Sequence, residues 1–386
     1  MDIQLTDSKP HISSIYRIIN LLFKLFVESG ATLHKLDLYF SDYEINPEIF
    51  YSLGRNEQFF SQLQDLSLGL ISDLNTENVT ALLKILTKNA TKINTLKFDE
   101  FYSDYEPQLL HALICIIKSQ EQLKHFSLIG GEVYPTEFHG IISALESQKN
   151  TLKEVLIAFC AFSTEFKVLT NCKNLEIFRI KYCDNLKILE TSLNALEVSN
   201  NSIDASSIVQ IFQKSGTLLQ RLSLVSEYER IREEPLLLET LKSFCPNITY
   251  LSIGNVGFST QYLELISNLQ KLQFLTFCSA EILKDDPEMV AQFAKLLPLT
   301  LQYLNLSYSC MEPYIDILLN NCYAPLKYLL IECIDDERKA KALTEFCVRK
   351  KTLNYVGICV DLDDNIKKKV EEYVTLMPYG RIVVNC

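Results

Sequence analysis

Side-chain chemistry needs nucleophiles, proton carriers or metal ligands at short, defined spacing, and this chain offers few. Its five histidines (His11, His34, His111, His125, His139) form no HExxH pair. Its twelve cysteines are never closer than eleven residues, as from Cys172 to Cys183 or from Cys322 to Cys333. The two-residue spacing by which paired thiols share a zinc ion or exchange a disulfide is therefore missing. No GxSxG nucleophile turn, P-loop or GxGxxG frame occurs, so the one adjacent glycine pair, Gly130 and Gly131, has no phosphate-binding context. His125 falls at an outward strand position and reads as an ordinary polar surface residue. The reading is a chain with no catalytic residues, no metal and no cofactor.

A different capacity lies in five aromatic residues, Tyr250, Phe274, Tyr303, Tyr328 and Tyr355, which recur at intervals of 24 to 29 residues, each directly before an apolar residue. Aromatic groups at one position of successive strands would form a row, suited to a peptide or helix laid across it. Rings in such a row can also stack on one another, and the two roles are compatible. The outward position next to the row holds Ser223, Ser252, Thr276, Asn305 and Gly357, small groups that leave room for a ligand, interrupted by Leu330 as exposed apolar surface. Arg179, Lys181 and Arg221 make the middle of the same face locally basic and are the one candidate for an anion site.

What must position these residues is a repeat. The pattern apolar, two residues, apolar, one residue, apolar begins at Leu33, Leu36, Leu38 and returns at starts Leu63, Ile93, Leu123, Leu152, Leu175, Leu193, Leu219, Ile248, Leu272, Leu301, Leu326 and Leu353. Thirteen copies result, and Tyr379, Ile382, Val384 read as a degenerate fourteenth that caps the chain. The mean interval of about 27 residues lies in the leucine-rich-repeat range. Each copy is a short parallel strand with its apolar residues turned inward, and the segment between copies must cover that core from the other side. The helical period recurs in the segments Thr76–Asn89, Pro107–Lys118, Asp204–Lys214, Pro235–Phe244, Pro287–Leu297 and Asp335–Val348. The shortest interval, 18 residues from Leu175 to Leu193, leaves about one turn. Cys160, Cys183 and Asn201 stand three residues after the last strand apolar, where the motif uses Asn or Cys to hydrogen-bond turn backbone.

The expected fold is α/β: a leucine-rich-repeat solenoid (horseshoe) with a concave parallel sheet of about 14 strands and convex helices. Residues 1–30 form an N-terminal capping helix region and residues 31–386 the solenoid. The absence of a linker in 386 residues follows, because repeats pack only on their neighbours. A net charge of -11 disfavours nucleic acid, which selects a basic face. Acidic residues follow many strands (Asp99 and Glu100, Glu227 and Glu229, Asp335 and Asp336, Asp363 and Asp364). They suit helix N-caps and would make one rim negative, favouring a basic partner. The start, MDIQLTDSKP, has no signal-peptide pattern, and Ile12–Val27 is too charged to span a bilayer. Reduced thiols, a cytoplasmic or nuclear location and no membrane are therefore expected.

Upstream of several strands stand NCKNLEIF (Asn171–Phe178), FCPNITYL (Phe244–Leu251), NCYAPLKYL (Asn321–Leu329) and FCVRKKTLNYV (Phe346–Val356). A helix-end cysteine followed by such a strand resembles the Cys-containing leucine-rich repeats of F-box substrate receptors and related fungal ribonuclease-inhibitor-like proteins, over about residues 31–386. That resemblance implies a protein-binding repeat domain that holds a ubiquitylation substrate as partner. It also implies a Skp-type adaptor docked on an N-terminal module of about fifty residues. Here about thirty residues precede the first repeat, with no Leu-Pro start and no Trp anywhere. Two functions stay open: an interaction protein binding a partner on its concave face, and a ubiquitin-ligase adaptor whose residual docking element uses Ile19 and Phe23. A small-molecule or anion receptor is the remote third.

Overall fold

The computed structural model describes residues 18, 21–22, 24–26, 28–40, 58–70, 76–131, 134–184, 193–279, 286–359 and 363–381. The inward residues of the repeat decide its architecture. From Leu63 to Val356 every residue of the pattern is buried, none more than 6% exposed. Each such side chain contributes about 1.5–3 kcal/mol when withdrawn from water.

Fourteen parallel strands follow one another in chain order, and the chain divides into two compact units at Ser192 and Leu193. The first unit carries β1 (Lys35–Phe40), β2 (Asp65–Leu70), β3 (Thr95–Phe101), β4 (His125–Gly130), β5 (Glu154–Ala158) and β6 (Ile177–Lys181). The second carries β7 (Ala195–Asn200), β8 (Arg221–Ser226), β9 (Tyr250–Gly254), β10 (Phe274–Cys278), β11 (Tyr303–Asn305), β12 (Tyr328–Ile331), β13 (Tyr355–Ile358) and β14 (Thr375–Pro378). Register is set by the apolar pattern: Leu66, Leu96, Phe126, Val155 and Phe178 stand side by side in the first unit. Leu251, Leu275, Leu304, Leu329 and Val356 do so in the second. This is a leucine-rich-repeat solenoid of the α/β class.

Returns with a helical period are helices: α1 (Thr76–Asn89), α2 (Pro107–Lys118), α3 (Ser206–Ser215), α4 (Glu234–Phe244), α5 (Thr260–Asn268), α6 (Pro287–Leu296), α7 (Ile315–Asn321), α8 (Glu337–Lys350) and α9 (Asp364–Glu371). The returns after β4 and β5 are 3-10 turns, Ser143–Gln148 and Thr164–Asn171. Asp286, Asp336 and Asp363 cap helices through their side chains, accepting from the backbone N–H of Met289, Lys339 and Asn365. Asp99 is different, being 5% exposed and held by Lys97 and the Tyr39 hydroxyl. Burial first, and then that bond to Asp99, push the Tyr39 phenol up to about 12.

The fourteenth repeat lies earlier than the pattern suggests. Val356 pairs with Leu376 and Ile358 with Pro378, so the last strand is β14, whose ends Thr375 and Pro378 are exposed. A proline at the third position hides it, because the pattern seeks an aliphatic or aromatic residue there. Tyr379 instead opens a 3-10 turn, Tyr379–Arg381, while Ile382 and Val384 lie outside the described residues.

The glycine pair serves packing. A Cβ on Gly130 would meet the Phe159 carbonyl oxygen at 2.0 Å, and one on Gly131 the Tyr102 ring at 2.3 Å. The turn out of the strands also carries a recurring left-handed residue, two places after the last strand apolar: Glu100, Phe159, Tyr182, Asn255 and Tyr308 all have φ between 51° and 58°. Asn is at ease there, and the other four hold a conformation costing about 1–2 kcal/mol. Next to these turns, the thiol of Cys160 donates to the Ala158 carbonyl and that of Cys183 to the Lys181 carbonyl, as the Asn/Cys position of the repeat requires. Asn201 departs from the pattern: it is exposed, and its own N–H donates to the Asn200 side chain. Burial holds the Cys183 thiol at about 11, so it is a poor nucleophile. All eleven cysteines among the described residues are free thiols. Among the described residues, no helix is long and apolar enough to cross a membrane.

Candidate functional site

Strand alternation points every second residue away from the helices, so register converts sequence spacing into rows. In the second unit one row is continuous: Ala195, Arg221, Tyr250, Phe274, Tyr303, Tyr328, Tyr355 and Thr375 are successive partners. All five aromatic residues of the spacing argument are thus brought together. Their ring centroids lie 6.3, 5.9, 6.3 and 5.5 Å apart along the row. These steps exceed the strand spacing of about 4.8 Å, so neighbouring rings are displaced sideways as well as stepped. The first three pairs are tilted by 34–44° and the last, Tyr328 with Tyr355, is stacked at 12°. Tyr303 is the most buried ring at 9% exposure, and the other four are half-buried.

Arg221 extends the row. Its guanidinium carbon lies 5.3 Å from the Tyr250 ring centroid, within the range of a cation–π contact. Arg179 and Lys181 belong to β6 in the first unit, where Arg179 is ion-paired with Glu154. The same Glu154 also meets His125, Nδ1 to Oε2 at 3.3 Å. His125 is therefore half-buried among charges, with its pKa lowered by burial first and by the charge of Lys124 next. Ile19 and Phe23 lie outside the described residues. Close to them in sequence, Ile18, Leu21 and Leu25 are helical and exposed at 56%, 59% and 58%.

The second outward row of this unit, Glu197, Ser223, Ser252, Thr276, Asn305, Leu330, Gly357 and Met377, lies beside the rings. Leu330 is 1% exposed, contrary to its reading as exposed apolar surface. The reason is tertiary: the turn after β14 packs against β13, and the Asn305 side chain on β11 donates from Nδ2 to the Tyr379 hydroxyl at 3.3 Å. A segment that touches β13 and reaches β11 must pass the strand between them, β12, which carries Leu330.

One polar cluster was not legible in the sequence. Glu312, Cys333 and Asp335 offer ligand atoms within 4.8 Å of one another. The Lys339 ammonium, 3% exposed, already pairs with Glu312 and, at 2.8 Å, with Asp335. Burial alone would lower the Lys339 pKa, and the two carboxylates outweigh it and raise it. A resident cation of this kind makes the cluster an ion-pair network that ties α8 to the turn before it, through Asp335, and to the 3-10 turn of the preceding repeat, through Glu312.

The comparisons with known structures concern the fold. A chain of the yeast Rad7 and Elc1 complex is similar over 96% of this chain and 88% of its own, with 13% identity and a TM-score of 0.44. The leucine-rich-repeat-containing protein LegL7 from Legionella pneumophila is similar over 91% and 99%, with 11% identity and a TM-score of 0.42. No family model matches the sequence, and no curated protein matches it.

Proposed function

We propose that this chain is a non-catalytic interaction protein that holds a segment of another protein along the row from Arg221 to Tyr355. The observation that carries it is the row itself: five rings and a guanidinium in unbroken register, four of the rings half-exposed. Tyrosine rings bury large area at low entropic cost and bring a hydrogen-bonding hydroxyl, and Tyr and Arg are the residues that dominate binding energy at interfaces. The adjacent Ser223, Ser252 and Thr276 give a bound backbone small polar neighbours. The net charge of -11 favours a basic partner through steering. Holding a ubiquitylation substrate is the use that the resemblance of the repeats to F-box receptors suggests.

The test is affinity capture from source cells with wild-type chain against Tyr303→Ala and Tyr328→Ala. A partner retained by wild type and lost with Tyr328→Ala supports the row. Partners indifferent to both substitutions, or no partner, would sink it.

A second reading is favoured by the exposed stripe Ile18, Leu21 and Leu25, three apolar residues at helical spacing. Such a stripe suits docking on an adaptor, as in a ligase receptor, with Ile19 and Phe23 in the same segment. Co-purification of a Skp-type adaptor, abolished by charged substitutions at Leu21 and Leu25, is expected under it. Retention of that adaptor after deletion of residues 1–30 would rule it out.

A further inference from the structure

We propose that Asn305, Leu330 and Gly357 floor a subsite for a tyrosyl side chain, filled in cis by Tyr379, and that a partner laid along the aromatic row gains this subsite only by displacing the C-terminal turn. The inference rests on the binding role of the row and adds what controls access to it.

Burial locates the subsite. Along the second outward row, Ser223 and Thr276 are half-buried, although Ser252 between them is 8% exposed. Beneath the turn Asn305 falls to 6%, Leu330 to 1%, and Gly357 is buried. Tyr379 stands at this place: its hydroxyl accepts from Asn305, its ring meets the Tyr308 ring edge-on at 6.5 Å, and the turn it opens packs against β13, the strand of Gly357. Three elements of the site, an amide donor for the phenol oxygen, an aliphatic floor and an aromatic wall, are those a tyrosyl group needs. The cover also leaves one polar group unmatched. Ser307, two residues after Asn305 and donating its N–H to the Asn305 side-chain oxygen, is 3% exposed, and its hydroxyl has no hydrogen-bond partner. An occupant that also paired with Ser307 would bind better than the chain's own segment does, which is the property of a replaceable ligand. Asn305 and Tyr303 are on the same strand with one residue between them, so the subsite adjoins the middle of the aromatic row.

The test uses two readouts on full-length chain. The protein has no tryptophan, so Tyr379→Trp introduces a single indole at the contact. We expect blue-shifted emission and shielding from acrylamide, whereas an indole as red-shifted and quenchable as a free tryptophan amide refutes the contact. The second readout is a synthetic peptide of residues 378–386, dye-labelled at Cys386, titrated with wild type, Tyr379→Phe and Tyr379→Ser. A tethered group competes at an effective concentration of millimolar order. The peptide should therefore bind Tyr379→Ser at least about tenfold more tightly than wild type, with Tyr379→Phe between them because it keeps the ring. Equal affinity for wild type and Tyr379→Ser, or no binding to either, overturns the proposal. Capture that depends on Tyr328 but is no better with Tyr379→Ser would refute the subsite and leave the row reading intact. A shielded indole and a binding peptide, with no partner that depends on Tyr328, would leave the subsite and remove the reading it rests on.

Discussion

Exchange of Tyr328 and Tyr355 for leucine, singly and together, measures whether the aromatic row is a mutually supporting stack. Their rings are 5.5 Å apart and inclined by 12°, an offset-stacked pair of the kind worth about 0.5–1.5 kcal/mol beyond area burial. Leucine keeps an apolar group on the strand, so most of the hydrophobic contribution cancels in the cycle and the ring–ring energy remains. We expect a coupling of about 1 kcal/mol between positions 328 and 355. Tyr250 and Tyr355, separated by three intervening strands, provide the control, and their single effects should add to within about 0.3–0.5 kcal/mol. The assay is urea denaturation followed by far-UV circular dichroism. Amide exchange of β12 and β13 accompanies it, because solenoid stability is a sum of local terms and a repeat can open by itself. A coupling at 328 and 355 no larger than the control would refute the stacking argument. The rings would then be individually tolerated on the surface, and a binding role alone would have to account for their persistence in five strands.

Gly130→Ala should destabilise the first unit by about 1–3 kcal/mol, an overpacking cost, since the new methyl meets a backbone oxygen rather than a side chain that can move; denaturation at neutral pH reads it, and a neutral result would show that the turn at Phe159 yields. The α8 cap should be acid-sensitive. The Asp336 carboxylate is held below its usual range by the Lys339 backbone N–H first, and Asp335 by the Lys339 ammonium. A depressed carboxylate contributes stability that is present above its unfolded pKa of about 3.9 and lost as pH falls through the folded value. Asp336→Ala should therefore cost about 1 kcal/mol near pH 7, with the gap to wild type closing below about pH 4; a gap unchanged at pH 3 would mean the charge plays no part.

The strands were legible because their inward residues leave a periodic trace that needs no knowledge of neighbours. Once the strands are aligned, the row from Tyr250 to Tyr355 follows from arithmetic, since in-register parallel pairing carries equal positions to equal places. What stayed hidden depends on contacts that leave no period. Pro378 pairs with Ile358 at the third position of the last strand, so the pattern passes over β14 and begins at Tyr379, which opens a 3-10 turn. Leu330 was read as exposed because the alternation rule knows nothing of a segment that returns across the sheet. The left-handed positions carry Glu100, Phe159, Tyr182 and Tyr308 in place of glycine, so no glycine marks that turn. Arg179 was read as part of a basic patch because Glu154, its partner, stands on the neighbouring strand, one row over.

That last pair bears on where binding resides. The two units use their outward rows in opposite ways. In the first, the outward rows hold Lys97 against Asp99 and Glu154 between His125 and Arg179, charges that answer one another within the sheet. A partner approaching there would have to break these pairs and desolvate both members, a cost that often cancels the new contacts. In the second, one outward row holds rings whose half-exposed faces gain by being covered, with small polar groups beside them and the proposed tyrosyl subsite next to them. Under the proposed binding role, the free energy available to a ligand is therefore concentrated between Arg221 and Tyr355. Substitutions that remove rings there should change affinity, while neutralising Arg179 should change the first unit's stability and leave capture intact.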